Sequence, residues 1–240
     1  MAYEMHFGAV LARAPEFVDG TINTVLLSGQ GIALGLAIGL AVALLRDHGP
    51  GWMKWLSRAY VELIRNTPLL VQVFLFFFGL PYIGVQLTAD TSAIIAISFN
   101  LGAYSAEIFR AGFGAIPKSQ IEAGLGLGLT RLQVIRYVVI VPALKVIYPA
   151  LTGQLTLTLL GSSVVCAISA NELTLAASKV ESLTFRSLET FLIAGAIYVV
   201  LTFIFRLAYW LISLWLFRRK DAADFRMADV VAVRRERVQA

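Results

Sequence analysis

Five long runs of apolar residues dominate the chain. They fall at residues 20–45, 59–80, 92–115, 142–169 and 188–217. A membrane-spanning helix needs about 20 mostly apolar residues, and each run meets that length. None of the runs alternates apolar and polar residues over about ten positions, as a transmembrane β-strand would. Because only helices and closed barrels satisfy the backbone in lipid, the pattern predicts an all-α membrane protein with five transmembrane helices.

The composition agrees with this pattern and excludes other classes. Of 240 residues, 58% are hydrophobic and 15% are charged, and the mean hydropathy is +0.77. Soluble domains are nearer about 45–50% apolar and 25% charged, so a soluble fold is excluded. Cys166 is the single cysteine, which rules out a disulfide-stapled scaffold. His6 and His48 have no metal-ligand spacing around them, so we expect no metal site.

The basic residues predict how the spans are oriented. With the N-terminus outside, 14 Lys and Arg residues fall in inside segments and 3 in outside segments. This bias follows the positive-inside rule and predicts an N-out, C-in topology. The net charge of +5 then reflects topology, and no nucleic-acid partner is expected. The predicted domains are a periplasmic or interfacial segment at 1–19, a transmembrane domain at 20–217 and a basic cytoplasmic tail at 218–240.

A stripe of glycines marks the first apolar run. Gly31, Gly35 and Gly39 recur at every fourth residue, so they lie along one face of a helix. Without side chains, this glycine stripe lets a second helix approach closely, as is common in lipid. We expect tight static packing here, and a moving interface is the alternative.

Residues 114–141 form an inside segment that is too polar and glycine-rich to span a membrane. Pro117 can open a short helix around Lys118–Ala123, and Gly128 allows a sharp turn. Thr130 is then suited to cap a second helix. A plain connector between two spans needs no such helix–turn–helix. We therefore expect this 114–141 loop to be a docking surface for a cytoplasmic partner.

The 114–141 loop resembles the coupling motif of ABC-transporter permeases, commonly E-A-A-x3-G-x9-I-x-L-P. The matching residues are Glu122, Ala123, Gly124, Gly128, Val138 and Pro142. Segments 62–70, 100–112 and 171–173 resemble motifs of the polar-amino-acid importer branch of that family. The four motifs occur in order, and the resemblance extends over residues 18–220. It departs from the family at Gly124, which replaces an alanine, at the spacing of Pro142, and at 160–163, which lacks the usual Lys-Asp pair.

The resemblance implies a type I ABC importer permease core with a cytoplasmic coupling helix, in a bacterial cytoplasmic (inner) membrane. Its expected partners are a cytoplasmic ABC ATPase dimer, a second permease subunit (the same or a homologous chain) and a periplasmic or extracellular amino-acid-binding protein. The ATPase would dock on Glu122, Ala123, Gly124 and Gly128, although Glu122 also suits a solvated first-turn acid. The chain has no Walker A pattern, so we expect ATP and magnesium on the ATPase, with no cofactor or enzymatic activity in this subunit.

Polar residues inside the apolar runs are candidates for a translocation pathway, because such groups are costly in lipid. In the third run, Asn100, Tyr104 and Glu107 share one helix face, and Arg110 is placed to pair with Glu107. In the fourth run, amide and hydroxyl groups recur at every fourth residue. These are Gln154, Thr158 and Ser162.

In the second run, Pro68 breaks the helix and leaves the carbonyl of Ile64 without its usual donor. A broken helix near the middle of a membrane is typical of a substrate site. Arg65 and Thr67 flank this break, and Arg65 can bind a carboxylate unless Glu62 neutralises it. We hypothesise that these polar residues of the second, third and fourth runs meet around a central pathway. Structural ion pairs and ordinary interhelical hydrogen bonds are the alternative for each stripe.

The predicted function is thus the permease subunit of an ATP-driven importer for a polar amino acid. An ion-coupled secondary amino-acid transporter or another membrane channel subunit is the alternative, although no internal repeat is visible. A membrane scaffold without transport fits poorly, because it would need neither the broken helix nor the buried polar face.

Overall fold

The computed structural model describes residues 4–217, which are helices and turns without a strand. The α-helices are α1 (Gly8–Leu11), α2 (Ala14–His48), α3 (Gly51–Arg65), α4 (Leu69–Phe74), α5 (Ala89–Gly114), α6 (Lys118–Gly126), α7 (Arg131–Gln133), α8 (Ile140–Gly161), α9 (Leu173–Thr184) and α10 (Ser187–Phe217). Short π-helical and 3-10 segments continue several of them, at Leu75–Gly79, Leu80–Ile83, Val134–Val139 and Ser162–Ile168. The all-α prediction is therefore confirmed for the described residues, and the predicted tail at 218–240 lies outside them.

Four helical segments of the described chain are long and apolar enough to cross a membrane. They are Ala14–His48, Ala89–Gly114, Arg131–Ile168 and Ser187–Phe217. The first begins at Ala14, so the last residues of the predicted 1–19 segment belong to α2. The helical pair Gly51–Arg65 and Leu69–Ile83 also passes the same test, but it is bent by 110°. The described residues thus contain four spans, or five if the bent pair is one span.

The bend lies where the sequence predicted a broken helix. Helix α3 ends at Arg65, and Pro68 precedes the first residue of α4 in an extended conformation. Proline has no N–H to donate, and it disfavours the helical conformation in the residue before it. The run at 59–80 is therefore not one straight helix, and the predicted break at Pro68 is confirmed.

Helices α2 and α5 pack closely along the glycine stripe. A Cβ atom at Gly31 would lie 2.6 Å from Cγ2 of Ile97. A Cβ atom at Gly39 would lie 2.0 Å from Oγ of Ser105 and 2.9 Å from the carbonyl oxygen of Gly102. These distances are shorter than van der Waals contact, so the two helices can approach this closely only where α2 carries glycine. The prediction of tight packing is confirmed.

The described chain divides into two compact units. Residues up to Thr202 form the first, which contains the cavity and the 114–141 loop described below. Phe203–Phe217 is the described part of the second unit and is helical throughout.

The segment 171–173 connects several helices of the first unit through its backbone. The N–H of Asn171 donates to Oδ1 of Asp90 at 2.7 Å, which ties this segment to α5. The N–H of Leu173 donates to Oγ1 of Thr24 at 2.9 Å, which ties it to α2. The resemblance singled out this segment, and its role in the structure is to join helices that are distant in sequence.

Glu172 lies in the same segment and is 1% exposed. Its carboxylate caps α9 by accepting the N–H groups of Thr174 and Leu175, both at 2.7 Å. It also accepts the hydroxyl of Tyr198 at 2.8 Å. Burial raises the pKa of Glu172 above its ordinary value, and these hydrogen bonds offset that rise only in part.

Candidate functional site

A cavity of about 250 Å³ lies where α4, α5 and α8 meet. Its walls are Leu69, Ile97, Asn100, Tyr104, Gln154, Leu157 and Thr158. Four of these are candidate pathway residues, and they come from two different apolar runs. The structure therefore brings the polar stripe of α5 and the polar stripe of α8 to one space, and the first residue of α4 closes it.

Helical spacing explains why these side chains face the cavity together. Asn100 and Tyr104 are four residues apart on α5, as are Gln154 and Thr158 on α8, so each pair lies on one face of its helix. The hydroxyl of Thr158 donates to the carbonyl of Gln154 at 3.0 Å, which satisfies it within its own helix. The amides of Asn100 and Gln154 are the larger hydrogen-bonding groups of the wall.

Gln72 is a residue that the sequence reasoning missed. It is 3% exposed, and its Nε2 donates to the carbonyl of Ile64 at 2.8 Å and to that of Thr67 at 3.0 Å. Its Oε1 accepts from Nδ2 of Asn100 at 3.1 Å. Gln72 thus replaces the donor that Pro68 removes, and it joins the broken helix to a cavity-lining amide. The signal in the sequence was a lone amide four positions after a proline within an apolar run.

Arg65 lies beside the cavity wall. Its guanidinium carbon is 5.4 Å from the centre of the Tyr104 ring, which is a cation–π arrangement. The pair with Glu62 that the spacing allowed does not form: the guanidinium of Arg65 lies over Tyr104, and the carboxylate of Glu62 accepts from Nδ2 of Asn66 at 3.2 Å. Thr67 is held by Gln72 at the same break, so both candidates of the second run lie next to the cavity without lining it.

Two candidates of the polar stripes lie outside the cavity wall. The carboxylate of Glu107 accepts hydrogen bonds from Arg46, at the end of α2, and from Arg110 at 2.8 Å. The predicted Glu107–Arg110 pair is confirmed, and Glu107 is the centre of an ion triad that ties α2 to α5. Ser162 is fully buried, and its hydroxyl donates to the carbonyl of Leu159 at 2.7 Å.

The 114–141 loop forms the helix–turn–helix that the sequence predicted. Helix α6 follows Pro117, and the chain then turns at Gly128 with φ of +80°, a conformation that favours glycine. Thr130 caps α7 in a reciprocal capping box with Gln133. The N–H of Gln133 donates to Oγ1 of Thr130 at 3.3 Å, and the N–H of Thr130 donates to Oε1 of Gln133 at 2.8 Å. The predicted turn and cap are both confirmed.

Glu122 and Ala123 are exposed on α6, whereas Gly124 is buried. The first turn of α6 contains no acidic residue, so the interpretation of Glu122 as a first-turn acid is wrong. A Cβ atom at Gly124 would lie 3.1 Å from Cγ2 of Val134. This close packing explains why glycine replaces the usual alanine here.

Large apolar side chains surround this exposed helix. Their exposed fractions are 42% for Leu125, 83% for Leu127, 75% for Leu132 and 49% for Ile135. Leu125 and Leu127 precede the candidate span Arg131–Ile168, whereas Leu132 and Ile135 belong to its first turns. Exposed apolar clusters of this kind are typical of protein interaction surfaces.

Known proteins resemble this chain over most of its length. Residues 31–217 match the family model of the binding-protein-dependent transport system inner membrane component. The glutamine transport system permease protein GlnP of Escherichia coli K12 is 34% identical over 204 residues, which cover 84% of this chain and 93% of GlnP. The octopine transport system permease protein OccM of Rhizobium meliloti is 34% identical over 211 residues, which cover 82% of this chain and 85% of OccM.

Solved structures give the same result for the fold. A chain of an amino acid ABC transporter, solved with histidines, has a TM-score of 0.81 and 36% identity, and covers 88% of this chain and 98% of its own. A chain of the MetNI methionine ABC transporter has a TM-score of 0.69 at 20% identity, which supports the fold alone. This chain belongs to the family of inner membrane components of binding-protein-dependent transport systems, the permease subunits of ABC importers.

Proposed function

We propose that this chain forms the membrane pathway of an ATP-driven importer and that a polar amino acid passes through the cavity between α4, α5 and α8. The observation that carries the proposal is the cavity wall itself, where Asn100, Tyr104, Gln154 and Thr158 converge from two helices. Amide and hydroxyl groups suit the ammonium, carboxylate and polar side chain of an amino acid.

The names of the relatives support this substrate class. They are named for the transport of glutamine, octopine and, for a Bacillus subtilis permease, arginine. Membership of a family of ABC importer permeases favours this function over the ion-coupled transporter and the channel subunit. It also supports a location in a bacterial inner membrane.

The topology that fits this function has five spans, with the N-terminus outside and the C-terminus inside. The fifth span is the bent segment from Gly51 to Ile83, counted as one broken crossing. The bias of 14 inside to 3 outside basic residues supports this orientation. It places the 114–141 loop in the cytoplasm, where an ATPase would meet it.

The proposed partners follow from the exposed surface of that loop. An ABC ATPase dimer docks on the exposed Glu122, Ala123 and Gly128 and on the leucines around them, whereas the buried Gly124 packs this helix against Val134. The ATPase binds ATP and magnesium itself. A second permease subunit completes the pathway, and an external binding protein delivers the amino acid. The present chain carries no Walker A pattern, which supports hydrolysis by the partner.

Uptake by proteoliposomes that contain the importer tests the pathway. We expect Asn100→Ala and Thr158→Ala each to lower amino-acid uptake, because each removes a polar group from the cavity wall. Thr156→Ala is the matched control, since Thr156 lies on the same helix and donates to the carbonyl of Thr152 at 2.9 Å. Uptake by both cavity variants at the level of the control would refute the pathway.

Co-purification tests the docking surface. Gly128→Asp forces a side chain into a φ of +80°, so we expect loss of the ATPase from the purified complex while membrane insertion stays normal. Gly114→Asp adds the same charge at an exposed glycine with nothing within 4 Å, and it serves as the control. Normal ATPase recovery and normal transport by Gly128→Asp would refute the docking role.

A further inference from the structure

We infer that Gln72 is a positioning residue of the proposed pathway, because it holds the side-chain amide of Asn100 in one orientation, with the oxygen towards the cavity. The cavity then presents a fixed hydrogen-bond acceptor at this point of its wall. This inference rests on the proposed function, since it concerns the same cavity, although Gln72 does not line that cavity itself. It depends on which end of each amide donates and which end accepts.

The first step is the demand for donors at the break between α3 and α4. The carbonyls of Ile64 and Thr67 can only accept hydrogen bonds, and both accept from Nε2 of Gln72, at 2.8 and 3.0 Å. The hydroxyl of Thr67 lies 2.9 Å from the same nitrogen. Its own hydrogen is directed to the backbone carbonyls of Leu63 and Ile64, so this hydroxyl also accepts from Gln72. All three partners of the nitrogen are acceptors.

The second step is that these partners fix the orientation of the Gln72 amide. If the amide were turned over about its last bond, Oε1 would face two carbonyl oxygens, and both carbonyls would lose this donor, which is costly. Gln72 is 3% exposed, so there is little water to bridge such a mismatch. The nitrogen of the Gln72 amide therefore faces the break, and its oxygen faces α5.

The third step carries this orientation to Asn100. Oε1 of Gln72 accepts from Nδ2 of Asn100 at 3.1 Å, so the nitrogen end of the Asn100 amide is directed to Gln72. The oxygen end, Oδ1, has no donor among residues 4–217, and it is not buried. Because Asn100 lines the cavity, this oxygen is the end that is available there. An asparagine alone can present either end of its amide, and Gln72 selects the oxygen.

The consequence is a point of the cavity wall that accepts hydrogen bonds and cannot donate them. An N–H or ammonium group inside the cavity can bond to Oδ1 of Asn100, whereas a carbonyl or carboxylate oxygen at the same point meets another acceptor. The polarity of this point originates in the backbone of the broken helix, where Pro68 leaves a carbonyl without its usual donor.

NMR tests the orientation without any ligand. The full-length permease, isotopically labelled at the side-chain nitrogen of asparagine, is transferred in lipid nanodiscs to deuterated buffer, and the signal of Asn100 is the one that Asn100→Ala removes. We expect the slower of its two N–H groups to exchange about tenfold faster in Gln72→Met, because methionine has nearly the same length but no amide oxygen to accept. Gln72→Glu should keep the wild-type exchange rate, since a carboxyl oxygen accepts from Nδ2 in either protonation state.

Uptake tests the consequence for transport. Proteoliposomes that contain the importer are given an equimolar mixture of the common L-amino acids, and mass spectrometry measures what enters. At limiting concentration we expect Gln72→Met to take up about threefold to tenfold less than the wild type, and the deficit should shrink at saturation, because loss of a positioned group weakens binding. Gln72→Glu should restore uptake relative to Gln72→Met. Gln86→Met is the control, since Gln86 is exposed in the turn before α5.

The two measurements separate failure of this inference from failure of the proposed function. Equal exchange rates in the wild type and Gln72→Met would overturn the positioning role and leave the pathway standing. Equal loss of uptake in Gln72→Met and Gln72→Glu would show that Gln72 supports only the break, which also overturns it. Normal uptake by Asn100→Ala and Thr158→Ala would overturn the pathway and, with it, the role of Gln72 in transport, whatever the exchange rates.

Discussion

The glycine stripe of α2 allows a graded test of how closely two membrane helices must approach. At Gly39 a new methyl group would lie 2.0 Å from Oγ of Ser105, 2.9 Å from the carbonyl oxygen of Gly102 and 3.0 Å from the backbone nitrogen of Ala106. Two of these three atoms belong to the backbone of α5, so no change of rotamer can make room. Gly39→Ala must therefore move α2 away from α5.

The expected cost of this displacement is about 1–3 kcal/mol, the range for overpacking in a close-packed interior. Gly31→Ala should cost less, because the atom that its new methyl group meets at 2.6 Å belongs to the side chain of Ile97. Adding Ile97→Ala should restore the stability that Gly31→Ala loses. Gly29→Ala is the control on the same helix, since no atom lies within 4 Å of its Cβ position.

The assay is thermal unfolding of the purified full-length permease in detergent, followed by tryptophan fluorescence. We expect the unfolding temperature to fall in the order Gly29→Ala, Gly31→Ala, Gly39→Ala, with Gly29→Ala unchanged or slightly stabilised because alanine favours a helix. Equal unfolding temperatures for Gly39→Ala and Gly29→Ala would show that the close approach of α2 and α5 does not limit stability.

Three further substitutions probe other contacts. Gln72→Leu removes the donor from the broken helix and should cost about 1–3 kcal/mol in unfolding free energy and lower uptake, because buried carbonyls lose a partner. Gly124→Ala should weaken recovery of the ATPase, and Val134→Ala should restore it, because the new methyl lies 3.1 Å from a valine methyl. The raised pKa of Glu172 means that the folded chain holds the proton of this carboxyl group more tightly than the unfolded chain does. The stability from this proton is present at low pH and is lost as the pH rises above 4.5 through the raised pKa. Glu172→Gln should lack this slope in unfolding temperature against pH.

Each of these predictions has an outcome that contradicts it. If Gln72→Leu is as stable as the wild type, another group must donate to the carbonyls of Ile64 and Thr67 at the break. If Val134→Ala does not restore recovery of the ATPase by Gly124→Ala, the effect of Gly124→Ala does not come from its contact with Val134. If the unfolding temperatures of the wild type and Glu172→Gln depend on pH in the same way, the pKa of Glu172 does not differ between the folded and the unfolded chain.

Much of the fold could be predicted from local pattern. The apolar runs are continuous in the sequence. The break at Pro68, the turn at Gly128 and the cap at Thr130 each depend on residues within one helical turn of each other, so the sequence carries the full signal for them. The same holds for the pair of Glu107 with Arg110. The family resemblance also depends on short motifs and was confirmed over residues 31–217.

The candidate site was less predictable because it depends on contacts between distant segments. The sequence named Asn100, Gln154 and Thr158 but could not show that they share a cavity while Glu107 lies in an ion triad. Gln72 escaped notice because one amide in an apolar run has no pattern, and its importance comes from the carbonyl that Pro68 leaves free.

The sequence by itself therefore determined the membrane class, the helical content, the break at Pro68, the turn at Gly128 and the cap at Thr130. Those features follow from hydropathy and from the backbone chemistry of proline, glycine and threonine, which act locally. Tertiary structure decided which polar groups face one another, which charges are neutralised and which are left without a partner. Such pairings depend on how closely helices approach, and at α2 and α5 that distance is set by glycines whose partners lie more than sixty residues away.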